Sequence, residues 1–187
     1  MVNMRELWQP VAVSSVLAFA ASSLIWMVLG YHKNDMTGVT DEEAMRDALR
    51  KQNLAPGQYV IPHHKEMAEM KSPEFQKKMA DGPLAFIVLR PPGQVGMGKM
   101  LGQWFIYLLI LNSVIAYAAS RSLMAHEADY MTVFRMVAAI AFLAYGGAHG
   151  INSVFWGRPW RVTVKDLVDA LIYALLAAGS FGWLWPR

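Results

Sequence analysis

The chain of 187 residues contains no cysteine. That removes disulfides, thiolate metal sites, iron–sulfur clusters and cysteine nucleophiles together. Charge is scarce too, at 17% of positions against about 25% in soluble domains. The scarcity is uneven: residues 32–99 carry 19 of the 31 charged side chains, and the other 119 residues carry twelve. The net charge is only +3, and no basic stripe interleaves with aromatics, so there is no footprint for nucleic acid. Catalytic signatures are missing as well. Gly93-Gln94-Val95-Gly96-Met97-Gly98 has the glycines of a phosphate loop without the Lys-Ser/Thr pair, and reads as a flexible lead-in to the next helix. No G-x-S-x-G elbow or H-E-x-x-H helix occurs, and the five histidines have no carboxylate at motif spacing.

What is present is apolar. Hydrophobic residues fill 55% of the chain and gather into four runs. About 20 helical residues, at about 1.5 Å each, cross a hydrocarbon core of roughly 30 Å. The first run is 10–31, with Pro10 in the first turn; its length argues for a retained anchor rather than a signal peptide. The second is 101–120, between Lys99 and Arg121. The third starts near Tyr130 and runs through Met136 to Gly150 or beyond. The fourth is 164–185, opened by a capping pattern from Thr163 to Asp166. Trp156, Trp160, Trp183 and Trp185 stand at span ends, as interfacial aromatics do. The connection 121–129 is short, so spans two and three form an antiparallel hairpin.

The fold expected is therefore mainly α: a four-helix transmembrane bundle with a small α+β extramembrane insert between helices 1 and 2. Its divisions are 1–31 (tail and first helix), 32–99 (polar insert) and 100–187 (helices 2–4). Ala170, Ala174, Ala178 and Gly182 form a small-residue stripe at i+4 spacing, with Ala177 off it. Ser14, Ala18 and Ser22, and Gly146 with Gly150, repeat the pattern; such stripes let helix backbones approach closely in lipid. In the insert, Thr40 and Glu43 form a capping box with a Val39–Ala44 staple. The helix they open turns Met45, Ala48 and Leu49 inward. Ser72-Pro73-Glu74 opens a second helix, and the extended runs 58–61 and 84–89 pair. The insert's core is thin, so it is expected to lean on the bundle or on a partner.

Basic residues near span ends number seven on the insert's side (Lys33, Arg46, Arg90, Lys99, Arg158, Arg161, Lys165) and four on the other (Arg5, Arg121, Arg135, Arg187). That places the insert in the cytoplasm. Two clusters could carry chemistry. If helical, residues 63–70 bring His63, Met67 and Met70 to one face, with His64 and Met67 a second pair; imidazole with thioether suits copper. The bland alternative is methionine core filling and surface histidines. The second cluster is an intramembrane polar level of Gln103, Tyr107, Tyr145, His149, Asn152 and Asp169, with Asp166 nearby. It reads as a proton-relay, quinone-head or ligand pocket, or as a His149–Asp169 bond fastening two helices. Asn112 and Ser113 are expected to hydrogen-bond across the bundle. Asp166 complements the dipole of the fourth helix.

Ala55-Pro56-Gly57-Gln58-Tyr59, Lys71-Ser72-Pro73-Glu74, Gly157-Arg158-Pro159-Trp160 and Phe181-Gly182-Trp183-Leu184-Trp185-Pro186 are spread over most of the chain. With their order, the chain resembles small bacterial four-span membrane proteins of no assigned function. The resemblance implies a bacterial inner membrane and supplies no catalytic residue. The leading expectation is a non-catalytic multi-pass protein, an accessory or structural subunit of a larger inner-membrane assembly of respiratory or photosynthetic type. It has the bilayer and other membrane subunits as partners and no cofactor. The alternatives are copper binding through His63, His64, Met67 and Met70, or a small quinone- or redox-linked enzyme.

Overall fold

The computed structural model describes residues 2–93, 96–123 and 128–186. Gln94 and Val95 of the glycine-rich lead-in, 124–127 of the second connection and Arg187 of the charge count lie outside the described residues. In chain order the elements are α1 (Trp8–Ser23), α2 (Glu42–Lys51), β1 (Gly57–Ile61), α3 (Pro73–Asp81), β2 (Ala85–Leu89), α4 (Met97–Ser122), α5 (Tyr130–Gly146), α6 (His149–Trp156) and α7 (Trp160–Leu184). A 3-10 turn, Met4–Leu7, precedes α1, and a π-helical turn, Leu24–Val28, continues it. The chain divides into a helical unit, residues up to 36 and from 95 onward, and a smaller unit of residues 37–94.

The helical unit supplies four spans long and apolar enough to cross a membrane: Met4–Val28, Met97–Ser122, Tyr130–Trp156 and Trp160–Leu184. α7 packs most extensively on α5 and then on α1, while α4 meets both α1 and α5. Many of the residues turned inward on α1 and α7 are small. Ser14, Ala18 and Ser22 lie on the buried face of α1, and Val16, Leu17 and Leu24 face out. Ala170, Ala174, Ala178 and Gly182 are buried on α7; so is Ala177, because α7 has neighbours on two sides. This pattern suits lipid, where burying a large apolar side chain gains little and close backbone approach gains dispersion contact.

Several polar groups inside are paired. The Ser14 and Ser15 hydroxyls donate to the Val11 carbonyl at 3.1 and 2.7 Å. Asn112 fastens three helices: its Nδ2 donates to Ser15 Oγ at 3.1 Å, and its Oδ1 accepts from the Tyr145 hydroxyl at 3.1 Å. Ser113 does not join it; it is exposed and donates to the Leu109 carbonyl of its own helix.

Several expected boundaries shift. The third span is broken, with α5 ending at Gly146 and α6 opening at His149; a glycine pair, Gly146-Gly147, is where a helix gives way. α7 starts at Trp160, directly after Pro159, so Thr163 and Asp166 lie inside the helix and do not cap it. Thr163 instead shares a hydrogen bond with Ser153 at 2.6 Å. Trp185, at the end of α7, is buried.

In the smaller unit the cap of α2 is Asp41, whose carboxylate accepts from the Ala44 N–H at 2.9 Å, one position later than the Thr40 box; a carboxylate also suits the positive end of a helix. Met45 and Ala48 are exposed and Leu49 is half-buried. β1 and β2 pair antiparallel with Tyr59 opposite Ile87, and Ser72 caps α3. Phe75 is the one buried residue among the described residues of this unit. Gly38 precedes the second span and Ser122 ends it, so one crossing by that span separates them. Single cysteines at Gly38 and Ser122, both exposed, are therefore expected to react with an impermeant maleimide from opposite sides of sealed vesicles. Labelling of both from one side would rule the topology out.

Candidate functional site

The site forms where the chain leaves the first span. After the π turn, Gly30 adopts φ +59°, a left-handed conformation that glycine takes without a Cβ penalty, and the turn at 31–34 folds back on the bundle end. This buries His32. Its Nδ1 lies 2.6 Å from Asp35 Oδ2 and its Nε2 lies 2.8 Å from Asp169 Oδ2, on α7. An imidazole with a carboxylate oxygen at each nitrogen satisfies both only as imidazolium, or with one carboxyl protonated. The Trp26 ring lies parallel to it, with centroids 3.9 Å apart, and such a face favours a cation. Lys165, also on α7, donates to Asp35 Oδ1 at 2.6 Å and to the Tyr31 carbonyl at 2.8 Å. Arg161 adds a bond to the Asn34 carbonyl at 3.2 Å. The loop is thus clasped to the first three turns of α7.

A second charged group sits one helical turn before Asp169. Asp166 Oδ2 lies 2.6 Å from an Arg158 guanidinium nitrogen and 3.2 Å from His149 Nδ1. Neither contact is aligned as a hydrogen bond, and the one to Arg158 is an ion pair. Arg158 reaches Asp166 because Gly157, at φ +67°, turns the chain sharply out of α6. Asp166, Asp169, His149 and Tyr145 line one cavity of about 530 Å³, and Trp26, Trp104, Tyr173, Met97 and Met100 supply much of its apolar wall. Trp104 is held there by donating to Ser22 Oγ at 2.9 Å. Clefts of about 300–1,000 Å³ with apolar walls and a few convergent polar groups are what small molecules occupy.

Compared with known proteins, the chain matches no family model, no curated protein and no solved structure. The reading of the site therefore rests on its geometry.

Of the expected polar level, Tyr145, His149 and Asp169 come together at the cavity. The expected His149–Asp169 bond does not form: His32 takes Asp169, and His149 faces Asp166. Gln103 and Tyr107 are exposed on α4, which turns Trp104 inward between them. Asn152 is half-buried on α6, and its carbonyl accepts from the Arg158 N–H at 3.1 Å. Residues 63–68 form no helix and Glu69–Lys71 is a 3-10 turn, so the helical face on which the copper reading stood is not built. His64 packs edge-on against Phe75 at 5.5 Å, His63 is exposed, and Met67 is largely exposed.

Sequence reading missed His32, Asp35, Trp26 and the role of Lys165. The available signal was Trp26, His32 and Asp35 just past one span, and Lys165-Asp166 with Asp169 at the start of another. The Lys165 hydrogen bond, with His32 adding to it against the effect of burial, holds the Asp35 carboxyl below its ordinary value of 3.8. A carboxyl lowered by folding stabilises the fold above its unfolded value, and that contribution fades as pH falls through the lowered folded value. Asp35→Asn is accordingly expected to melt below wild type at neutral pH, with the gap closing in acid below pH 3.8. A gap independent of pH would show that Asp35 is not ionised in the clasp.

Proposed function

We propose that this multi-pass protein is a non-catalytic component of a bacterial inner membrane that holds a small amphiphilic molecule in the cavity between α1, α4, α5 and α7. The observation that carries this reading is the cavity itself: aromatic and methionine walls at one end of the spans, with His149, Asp166 and Asp169 on its polar side. Methionine and tryptophan suit this task, since thioethers adapt to shape and indoles stack. The basic-residue count supports the insert on the cytoplasmic side.

The test is extraction in mild detergent followed by mass spectrometry of the retained small molecules. Wild type is expected to retain one amphiphile, and Met100→Trp, which fills the cavity from a partly exposed position, is expected to lose it. Equal recovery from both proteins would reject the cavity as the binding site.

A second reading, an accessory subunit seated against a larger assembly, is favoured by a shallow groove along the outer face of α4. Ile106, Leu109, Ile110, Ser113, Val114 and Tyr117 line it. The same extraction tests it, through a protein that co-purifies in fixed ratio and is released by Ile110→Trp.

A further inference from the structure

We infer that the molecule held in the cavity is uncharged and presents a hydroxyl to the protein: a phenol-type head on an apolar tail. This rests on the cavity reading above and narrows it by charge and by hydrogen-bond sense.

Charge comes first. Three carboxylates converge on this end of the bundle, and each already has a cationic partner within 2.8 Å: Lys165 and His32 for Asp35, His32 for Asp169, Arg158 for Asp166. With His32 as imidazolium, three negative groups face three positive ones. A cationic ligand would have to displace Arg158 or His32 from its carboxylate. An anionic one would meet Asp166 and Asp169 from the apolar side. Both cost the desolvation of an unmatched charge, so a neutral head is favoured.

Hydrogen-bond sense comes second. The donors at the cavity are largely spent: Trp104 Nε1 on Ser22, the Ser22 hydroxyl on the Phe19 carbonyl, and the Tyr145 hydroxyl on Asn112. The Tyr173 hydroxyl also lines the cavity and can act in either sense. Acceptors remain. Each carboxylate has about four lone-pair directions, more than its partners fill. In the neutral imidazole, a carboxylate oxygen 3.2 Å from His149 Nδ1 favours the tautomer with its proton on that nitrogen. Nε2, which has no partner among the described residues, is then left as an acceptor. A floor rich in acceptors selects a head that donates, and the aromatic and thioether walls accept a ring and a tail.

The experiment compares four probes that share one decyl tail, on the full chain in phosphatidylcholine nanodiscs, by equilibrium dialysis corrected for lipid partition. They are 4-decylphenol, its methyl ether, decylammonium and decanoate. The phenol and its ether differ by the donating hydrogen alone. The phenol is expected to bind about tenfold more tightly than the ether, the worth of one hydrogen bond to a charged or strong acceptor, and more tightly than either charged probe. His149→Phe is expected to narrow the phenol–ether gap at unchanged ether affinity. Equal affinity of phenol and ether, or tightest binding by decylammonium or decanoate, overturns the inference and leaves the cavity reading standing. Failure of all four to bind overturns both.

Discussion

Replacing His32 with alanine is expected to destabilise the helical unit by about 3–5 kcal/mol, the cost of breaking a buried ion pair by removing one partner. Asp35 keeps Lys165, but Asp169 loses the imidazole 2.8 Å away. The remaining carboxylate is buried at 4% exposure and sits inside an apolar span, without its cationic partner. The loop at 31–36 also loses its inward anchor. Lys33→Ala changes an exposed neighbour in the same loop and is expected to stay within about 0.5 kcal/mol of wild type. Combining His32→Leu with Asp169→Leu should be less harmful than the sum of the single changes, since no unpaired charge remains. Melting in mild detergent, followed by near-ultraviolet circular dichroism, reads all of these. A His32→Ala variant that melts with wild type would show that the clasp bears no load.

The four spans were legible because the requirement behind them is one-dimensional. A run of about 20 apolar residues is enough to cross, wherever its neighbours lie. The small-residue stripe on α7 was legible for a similar reason: i+4 spacing places residues on one face before any partner is known. Its width was not. Ala177 falls off the stripe by spacing and is nonetheless fully buried, because α7 is packed on two sides and a stripe describes only one.

The site was half legible. Depth in the bilayer brought Tyr145, His149 and Asp169 to one level, since ionisable groups in a span turn inward. Pairing needs more than depth. His149 and Asp169 share a level, yet the break at Gly146-Gly147 sets His149 against Asp166. The chain then supplies His32 from a loop 137 positions away in sequence. That loop reads as the edge of a polar segment, and nothing in its composition marks it as folding back. Gly30 was the cue: one glycine between an apolar span and a Tyr-His-Lys-Asn-Asp run is where a left-handed turn can send the chain home.

The second large effect is expected where α5 and α7 touch most closely. A Cβ built at Gly182 would lie 2.8 and 2.9 Å from two ring carbons of Tyr130 and 3.2 Å from its carbonyl oxygen. The ring can swing, but the carbonyl belongs to the first turn of α5 and cannot. At the other end of the same interface, a Cβ at Gly146 would lie 3.0 Å from the Ala170 Cβ and 3.3 Å from Leu167 Cδ2. Between them Ala174 has no exposed surface. Gly182→Leu and Ala174→Leu are each expected to cost about 1–3 kcal/mol by forcing the helices apart, because no lipid-facing space is open to the added carbons. Leu175→Ala, at an exposed position on the same helix, should change stability far less. The two ends of the interface share no side chain, so Gly182→Ala and Gly146→Ala should add when combined. If Gly182→Leu and Ala174→Leu melt alongside Leu175→Ala, the close approach of α5 and α7 is not what holds the bundle.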